Sequence, residues 1–492
     1  MARKSLKNCL MTVGPLLFLV FPLSAWTGDV SAVKQRRPPG IEQGHKYIAA
    51  GDNHSLAIAC DGRVYAWGNN KNCECGRGPR DSVITVPLPL LREELPGPPG
   101  AVEVVGGGSH SMLLMIFTNV YAWGANDKGQ LGVHSRNESC IPLQVHGPGD
   151  MYYLSGITRL AAGDEHSLAV EEDGSLWAWG RNYYGQLGIH SNNDQTVPYQ
   201  VHGVDNVGYL TDVVDVAAGA HHTLALKSDG TVYAWGYGGH GQLGIHSNND
   251  HTIPYQVHGP GNDGYLTDII KVAAGANFSL ALKNDGTMWA WGEGGSGQLG
   301  IHSNNDHTIP YQVHGVGNVG YLTDVVDIAG GQHHTLALKS DGTVYAWGAN
   351  GDGQLGIHNK DDHTVPYQVH GPDDVGYLTG IVEVDAGQYF SLALREDGTV
   401  WAWGQNSAGQ LGISTTDNHT IPYQVHGPYD VGYLTGIGPT CNTPPPGTST
   451  PGGADVTICH KPGTPHEKTL YVPWRALEGH ANHGDRLGAC SP

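Results

Sequence analysis

A Trp-Gly pair returns at one fixed interval along most of this chain, and no other feature restricts the available folds as strongly. The interval is 56 residues throughout, and the pair begins at Trp67, Trp123, Trp179, Trp235, Trp291, Trp347 and Trp403. A fixed period of this length is the signature of a repeat architecture, in which each copy buries its apolar face against its neighbours.

The copy Val213–Thr267 shows what one unit contains. A Val-rich stretch ends in Ala-Ala-Gly, alternating bulk follows in His222–Leu226, and a Ser-Asp-Gly turn leads to Thr231–Trp235. Asp-Gly between alternating apolar runs is a strong β-hairpin signal. With a Gly-Gln-Leu-Gly turn and the segment Ile253–Val257, the unit has roughly four short strands, which is typical of a propeller blade.

The copies favour a closed ring over an open solenoid, because no copy carries the features of a capping repeat. The first copy begins at Gly44 and the last ends near Thr435, so the two ends are in phase, as closure requires. Small Ala-Ala-Gly residues suit an innermost strand, and Trp235 and its equivalents are expected to fill the wedge between blades. We therefore predict an all-β fold, a seven-bladed β-propeller over residues 44–438.

The pattern AAGxxHSLAL–DGTVYAWG–GQLG closely resembles the regulator of chromosome condensation repeat and covers all seven copies. The resemblance implies that family's seven-bladed propeller, here as a secreted, bacterial-type member. Nuclear members bind chromatin and catalyse nucleotide exchange on a small GTPase, whereas secreted members resemble inhibitors that cap a target enzyme such as a β-lactamase. No insertion breaks the 56-residue period, so we see no candidate for the wedge-like element of the exchange factors.

Composition and charge exclude several classes of protein. Gly accounts for 73 of 492 residues, charged residues for 15%, and the chain has 12 Trp and 23 Tyr, which excludes a disordered chain. Glycine does not recur at every third position, which excludes collagen. The net charge of −20 repels phosphate backbones, so we expect no nucleic-acid partner.

Residues 1–25 are typical of a secretory signal peptide. Arg3, Lys4 and Lys7 precede an apolar stretch over residues 10–23, which small residues follow. The stretch is short for a membrane span, and an uncleaved N-terminal anchor is the alternative. We expect a monomer that is secreted or extracytoplasmic, at the cell surface or in the periplasm, without a membrane span after cleavage. Residues 26–43 form a short N-terminal segment.

Two columns of the repeat vary from copy to copy, whereas the strands between them are nearly uniform. One column precedes the His that opens the second strand, the other follows Trp-Gly, and antiparallel pairing brings both to the same end of the hairpin. Tyr, Asn, Asp and His dominate there, as in antibody paratopes. Neutral drift of exposed loop tips is the alternative. We predict that this rim binds an unknown protein or cell-surface ligand through Asp52, Asn53, Asp164, Glu165, Arg181, Tyr183, Tyr184, His221, Tyr237, Asn277, Glu293, His333, Gln388 and Tyr389.

The histidines of the repeats also fall into columns, which favours a structural role. The column that opens the second strand is His in five copies and Phe at positions 278 and 390, so packing or hydrogen bonding is favoured over metal ligation. The columns that begin at His134 and His146 place one His in each blade, which predicts histidines spread around the ring. His and Ser neighbours on one strand point to opposite faces, so they cannot pair as base and nucleophile. We therefore predict no catalytic residues and no enzyme activity, with a composite site from several blades as the alternative.

The C-terminal part differs in composition from the repeats. Residues 439–454 form a Pro/Gly/Thr-rich linker, and residues 455–492 form a small Cys/His-rich module. Because so small a module lacks a large core, we predict a disulfide between Cys459 and Cys490. The alternative is a zinc or copper site, whose predicted ligands are His460, His480, His483 and Asp485.

No cofactor is expected in the propeller, and its cysteine pairing stays open among Cys60, Cys73, Cys75, Cys140 and Cys441. A bridge between Cys73 and Cys75 would be strained, so one from Cys60 to either of them is favoured. The sequence as a whole predicts a secreted, non-enzymatic binding scaffold. Alternatives are a protein inhibitor of an extracellular enzyme, a guanine-nucleotide exchange factor-like regulator, and an enzyme with a composite site.

Overall fold

The structure is a computed structural model that describes residues 45–77, 82–90, 100–116 and 118–438, together with the backbone of three strands beyond residue 454. In the first four ranges, seven antiparallel sheets of four strands follow one another along the chain, each in simple sequential order. Equivalent residues of all seven sheets line one cavity, so the sheets surround a common axis. The predicted seven-bladed propeller is confirmed.

In each blade the first strand lies next to the axis and the fourth strand is outermost. The strands are numbered in chain order. The bounds are, for blade 1, β1 (Ile48–Ala50), β2 (His54–Ile58), β3 (Val64–Asn69) and β4 (Val83–Pro89); for blade 2, β5 (Ala101–Gly106), β6 (His110–Met115), β7 (Val120–Gly124) and β8 (Ser139–Gln144); for blade 3, β9 (Ile157–Ala162), β10 (His166–Glu171), β11 (Leu176–Gly180) and β12 (Gln195–Gln200); for blade 4, β13 (Val213–Ala218), β14 (His222–Lys227), β15 (Val232–Gly236) and β16 (His251–Gln256).

The last three blades repeat this arrangement. Their bounds are, for blade 5, β17 (Ile269–Ala274), β18 (Phe278–Lys283), β19 (Met288–Gly292) and β20 (His307–Gln312); for blade 6, β21 (Val325–Gly330), β22 (His334–Lys339), β23 (Val344–Gly348) and β24 (His363–Gln368); for blade 7, β25 (Ile381–Ala386), β26 (Phe390–Arg395), β27 (Val400–Gly404) and β28 (His419–Gln424). Short 3-10 turns follow the outer strands of blades 2 to 7, at Pro148–Asp150, Val204–Asn206, Pro260–Asn262, Val316–Asn318, Pro372–Asp374 and Pro428–Asp430. Within the described residues, no helix has the length and apolarity that crossing a bilayer requires.

The Asp-Gly turns form the central hairpins as the sequence predicts. In blade 4, Asp229 Oδ1 accepts hydrogen bonds from the backbone N of Thr231 at 3.0 Å and from its hydroxyl at 2.6 Å. Gly230 adopts φ +80°, a left-handed conformation that favours glycine. The turn sets the register of β14 against β15, which pairs His222 with Gly236 and Thr223 with Trp235.

The seven repeat tryptophans join each blade to the preceding one. Each is fully buried, and its indole N–H donates to a backbone carbonyl of the preceding blade at 2.8–2.9 Å. The last of these bonds closes the circle, because Trp67 of blade 1 donates to the carbonyl of Gln410 in blade 7. Ring closure is completed where the backbone N of Cys60 donates to the carbonyl of Gly436 at 2.8 Å.

The buried histidines form a second set of bonds between blades. His54 Nε2 lies 2.8 Å from Ser111 Oγ of the next blade, and Ser111 Oγ donates onward to the carbonyl of Glu74 at 2.8 Å. The same arrangement recurs at His110, His166, His222 and His334. Burial lowers the pKa of His54 to about 4, so this imidazole is neutral near pH 7. The predicted packing or hydrogen-bonding role is confirmed.

Two other histidine columns place one His each in a blade, as predicted, and in blades 2 and 6 the two histidines of the blade meet one aspartate. In blade 2, Nδ1 of His134 and Nδ1 of His146 lie 2.6 and 2.5 Å from the two carboxylate oxygens of Asp150. His134 sits in a turn at φ +52°, which returns the chain towards the 3-10 turn that carries Asp150. His358 and His370 share Asp374 in the same way. In the described part of the chain, no group of three His, Cys, Asp or Glu residues is arranged to hold a metal ion.

The cysteines overturn the favoured bridge from Cys60 to Cys73 or Cys75. Cys73 forms a disulfide with Cys140, with the two Cα atoms 4.6 Å apart. Cys75 is a buried free thiol, and Cys60 takes part in a different disulfide. The structure thus joins blade 1 to blade 2 covalently.

The repeat explains this pairing. Cys73 and Cys140 hold the places that Gly129 and Thr196 hold one blade later, and the Cα of Gly129 packs directly against Thr196. Cys75 holds the place of the fully buried Leu131, which accounts for its burial. The disulfide therefore replaces a contact that later blades make without sulfur.

The C-terminal module contains three strands, β29 (Asp455–His460), β30 (Lys468–Pro473) and β31 (Arg486–Leu487), in the order β30-β29-β31. Cys459 and His460 lie in β29, where only the backbone is described. The other predicted ligands, His480, His483 and Asp485, and the second cysteine, Cys490, lie outside the described residues. The predicted signal peptide (1–25), the N-terminal segment (26–43) and the linker (439–454) also lie outside them.

Candidate partner-binding site

A cavity of about 370 Å³ opens where the inner strands of all seven blades end. The inner strands, β1, β5, β9, β13, β17, β21 and β25, end in small residues, and each is followed by a glycine. This volume falls in the range of small-ligand pockets. The cavity is therefore a property of the ring as a whole.

The glycines explain why the axis stays open. A Cβ added at Gly219 would lie 2.2 Å from His222 Cε1 of its own blade and 2.5 Å from the carbonyl oxygen of Gly275 in the next blade. The equivalent distance to the next carbonyl is 2.3–2.7 Å at every blade, including the step from Gly387 back to Gly51. No side chain fits in this layer, which we call the glycine layer; its members are Gly51, Gly107, Gly163, Gly219, Gly275, Gly331 and Gly387.

The residues directly after the glycine layer form the entrance to the cavity. All seven line it, and we call them the mouth ring; they are Asp52, Gly108, Asp164, Ala220, Ala276, Gln332 and Gln388. Backbone hydrogen bonds connect neighbouring members, as where the N–H of Gln388 donates to the carbonyl of Asp52 at 3.2 Å. The side chains of the mouth ring differ from blade to blade.

Two carboxylates of the mouth ring lack partners. Within the described residues, neither Asp52 nor Asp164 makes a side-chain hydrogen bond or a salt bridge. Burial, with the neighbouring charge of Asp164, raises the pKa of Asp52 to about 7. Burial also raises the pKa of Asp164, against the opposing influence of His221. Both groups are therefore poorly stabilised as anions.

Aromatic side chains from blades 3 and 4 line the same cavity as these carboxylates. The ring of Tyr184 stacks on His221 with centroids 5.2 Å apart and lies 4.8 Å from the ring of Tyr237. His240 adjoins Tyr237 at 6.1 Å, and its Nδ1 lies 2.8 Å from Asp306 Oδ2 of blade 5. We call these four residues the aromatic wall.

The predicted rim residues divide into two groups. Those that line the cavity are Asp52, Asp164, Tyr184, His221, Tyr237, Asn277 and Gln388, and those that do not are Asn53, Glu165, Arg181, Tyr183, Glu293, His333 and Tyr389.

Several residues of the second group pair with one another. Arg181 forms an ion pair with Glu165, and Glu293 lies 3.4 Å from His333 Nδ1 and accepts from Asn277 at 3.4 Å. Sequence reasoning did not select two residues that line the cavity, Gln332 and His240, although both lie in the variable columns.

The other end of the inner strands carries a different set of charges. One repeat column there contains the residues that we call the charge ring, namely Glu103, Arg159, Asp215, Lys271, Asp327 and Glu383. Lys271 forms an ion pair with Asp327 of the next blade. Glu383 accepts backbone N–H bonds from Tyr47 at 3.0 Å and Ile48 at 3.3 Å, which helps to close the ring.

The inter-blade His and Ser pairs give no access to a nucleophile. Both side chains are fully buried, and each Ser or Thr hydroxyl already donates to a backbone carbonyl. A substrate cannot reach these hydroxyls without separating two blades.

The fold is a closed seven-bladed propeller with a cavity on its axis. Residues 85–438 match the RCC1-like domain, and residues 46–76 match the regulator of chromosome condensation (RCC1) repeat. The ultraviolet-B receptor UVR8 of Arabidopsis thaliana is 34% identical over 378 residues, which are 76% of this chain and 80% of the receptor. The chain belongs to the RCC1-repeat family.

Other relatives match this chain over different fractions of their own length. The human E3 ubiquitin-protein ligase HERC2 is 29% identical over 74% of this chain, but the match spans 7% of the ligase. The crystal structure of Prp20p from Saccharomyces cerevisiae, described with its binding to Gsp1p and histones, is 25% identical with a TM-score of 0.62 and covers 76% of this chain and 88% of that chain.

Proposed function

We propose that this chain is a secreted, non-enzymatic scaffold that binds a protein or cell-surface ligand at the mouth of its axial cavity. The observation that carries the proposal is the contrast between uniform bonds from blade to blade and dissimilar side chains in the mouth ring. Drift alone would not require two unpartnered carboxylates to face the same cavity as an aromatic wall.

A protein partner agrees with the chemistry of the mouth. Tyr, His, Asn and Gln side chains provide contact area and adaptable hydrogen bonds, as they do in antibody paratopes. Prp20p binds the proteins Gsp1p and histones, which supports a protein partner for this propeller.

The likeness to Prp20p also favours a second candidate, an exchange-factor-like regulator. The two functions are separated by adding the purified chain to a small GTPase loaded with a fluorescent nucleotide. An exchange factor accelerates nucleotide release, whereas a binding scaffold or an enzyme inhibitor leaves the release rate unchanged.

The proposal also assigns roles to the two ends of the chain. A cleaved signal over residues 1–25 would direct the propeller out of the cytoplasm, and the C-terminal module would serve as an accessory anchor held by a Cys459–Cys490 disulfide or by zinc or copper. N-terminal sequencing of the exported chain and metal analysis of the purified protein test these two points.

The main experiment is capture of a partner from culture supernatant or whole cells by the immobilised chain. In the test variant, four tyrosines at or beside the mouth become alanine: Tyr183, Tyr184, Tyr237 and Tyr389. In the control variant, four exposed tyrosines away from the cavity become alanine: Tyr209, Tyr265, Tyr321 and Tyr377. We expect the test variant to lose capture and the control to retain it. Equal capture by both variants contradicts the assignment of the mouth.

A further inference from the structure

Within the described residues, the carboxylates of Asp52 and Asp164 have neither a hydrogen-bond donor nor a salt-bridge partner. They stand in blades 1 and 3, the blade between them contributes Gly108 to the mouth ring, and the charge of Asp164 raises the electrostatic cost of ionising Asp52. In the charge ring, by contrast, Asp327 pairs with Lys271, and Glu383 accepts backbone N–H bonds from Tyr47 and Ile48. Unpaired anions at a partly desolvated entrance are stabilised by a cation that enters from outside.

The cavity supplies no such cation itself. Its lining contains no lysine or arginine, and its imidazoles are those of His221 and His240. His240 is already held by Asp306, and His221 is stacked on Tyr184. The position is therefore open to a positively charged group of a ligand.

The aromatic wall favours a planar cation. Tyr184, His221 and Tyr237 present ring faces and edges beside the acidic side of the mouth. Aromatic faces attract cations, and they stack well against a planar, weakly hydrated guanidinium. Across the mouth, the side-chain amides of Gln332 and Gln388 can accept further N–H bonds.

We propose that the axial cavity binds the guanidinium of an arginine side chain that the partner inserts, with Asp52 and Asp164 as anionic acceptors and Tyr184 and Tyr237 as the stacking surface. This inference rests on the proposed function, because it names the group that the mouth recognises. Guanidinium is favoured over ammonium because its fork of N–H donors can reach both a carboxylate and an amide oxygen while its plane stacks.

The test uses the full chain and small probes, so it does not need the partner. Calorimetry compares N-acetyl-arginine amide with N-acetyl-citrulline amide, which has nearly the same shape without the charge, and with N-acetyl-lysine amide. We expect the arginine probe to bind at least about tenfold more tightly than the citrulline probe, since hydrogen bonds to charged groups are the stronger ones. The lysine probe should bind more weakly than the arginine probe.

Variants then locate the probe. Asp52→Asn with Asp164→Asn should weaken arginine binding by about tenfold or more while the melting temperature stays unchanged or rises, because an unpaired carboxylate is removed from each site. Tyr184→Ala should also weaken binding, whereas Tyr265→Ala, outside the cavity, should not. A melting temperature retained by the Asn variants shows that the loss is not due to unfolding.

Equal binding of the arginine and citrulline probes, or arginine binding that survives both Asn substitutions, overturns the inference. Preference for lysine over arginine overturns the choice of guanidinium. These outcomes are distinct from failure of the proposed function, because the tyrosine variants report on partner capture whether or not a cation enters the cavity.

Discussion

The two ends of the inner strands use carboxylates in opposite ways. At the charge ring, Asp327 pairs with Lys271 of the adjacent blade, and Glu383 accepts backbone N–H groups of blade 1. At the mouth ring, Asp52 and Asp164 have no such partners among the described residues. The same strands carry both ends, and the difference lies in the groups that surround the carboxylates at each end. It indicates that one end holds blades together and the other is available for binding.

The largest expected effect comes from breaking a pair in the charge ring. Lys271→Met leaves Asp327, which is 7% exposed, without its lysine, and should lower the free energy of unfolding by about 3–5 kcal/mol. Chemical denaturation measures the loss. Adding Asp327→Asn to the same chain should recover part of it, because the carboxylate that has lost its lysine is then no longer charged. No loss for Lys271→Met would mean that this end does not join the blades.

A somewhat smaller effect is expected in the glycine layer that separates the two ends. Gly219→Ala places a methyl group 2.5 Å from the Gly275 carbonyl and should lower the free energy of unfolding by about 3 kcal/mol. Gly351→Ala is the matched control, because nothing lies within 4 Å of its added Cβ. The control should stay within about 0.5 kcal/mol of the parent chain. Similar melting curves for both variants would contradict close blade contact at the axis.

The mouth carboxylates should affect stability with the opposite sign, and by an amount that depends on pH. The pKa of Asp52 is about 7 in the folded chain and near 4 in the unfolded chain, so the folded state holds an extra proton between these values. Stability therefore falls as pH rises through that window. Asp52→Asn should remove this fall, so its advantage grows from near zero at pH 4 by at most about 1.4 kcal/mol per pH unit.

Denaturation of the parent chain and Asp52→Asn at several pH values checks this sign. A difference that is constant with pH, or an Asn variant that is less stable at pH 8, would show that Asp52 has a stabilising partner. The carboxylates at both ends of the axis would then have stabilising partners.

Much of the fold could be predicted from the sequence because the pattern of one blade occurs in seven copies. The Trp-Gly period determines the blades, and the Asp-Gly turns determine the hairpins. The Cys73–Cys140 bridge was also visible in principle, since aligning the copies places these residues where Gly129 and Thr196 touch. The charge ring likewise forms one column that the sequence displays.

The candidate site was harder to predict, for a physical reason. Variation in the columns identifies the rim, but it does not show which side chains point to the axis and which pair among themselves, as Arg181 and Glu165 do. The isolation of Asp52 depends on what six other blades place around it. A single copy of the repeat contains no information about that environment.

The most direct test of the account is hydrogen exchange measured by mass spectrometry on the chain with and without its captured partner. We expect protection in segments that carry the mouth and the aromatic wall, residues 163–165, 181–186, 219–222 and 237–242, and none in the outer turns at residues 203–209. Protection confined to the outer turns, with the mouth segments unchanged, would contradict the claim that the axial mouth is where this propeller binds.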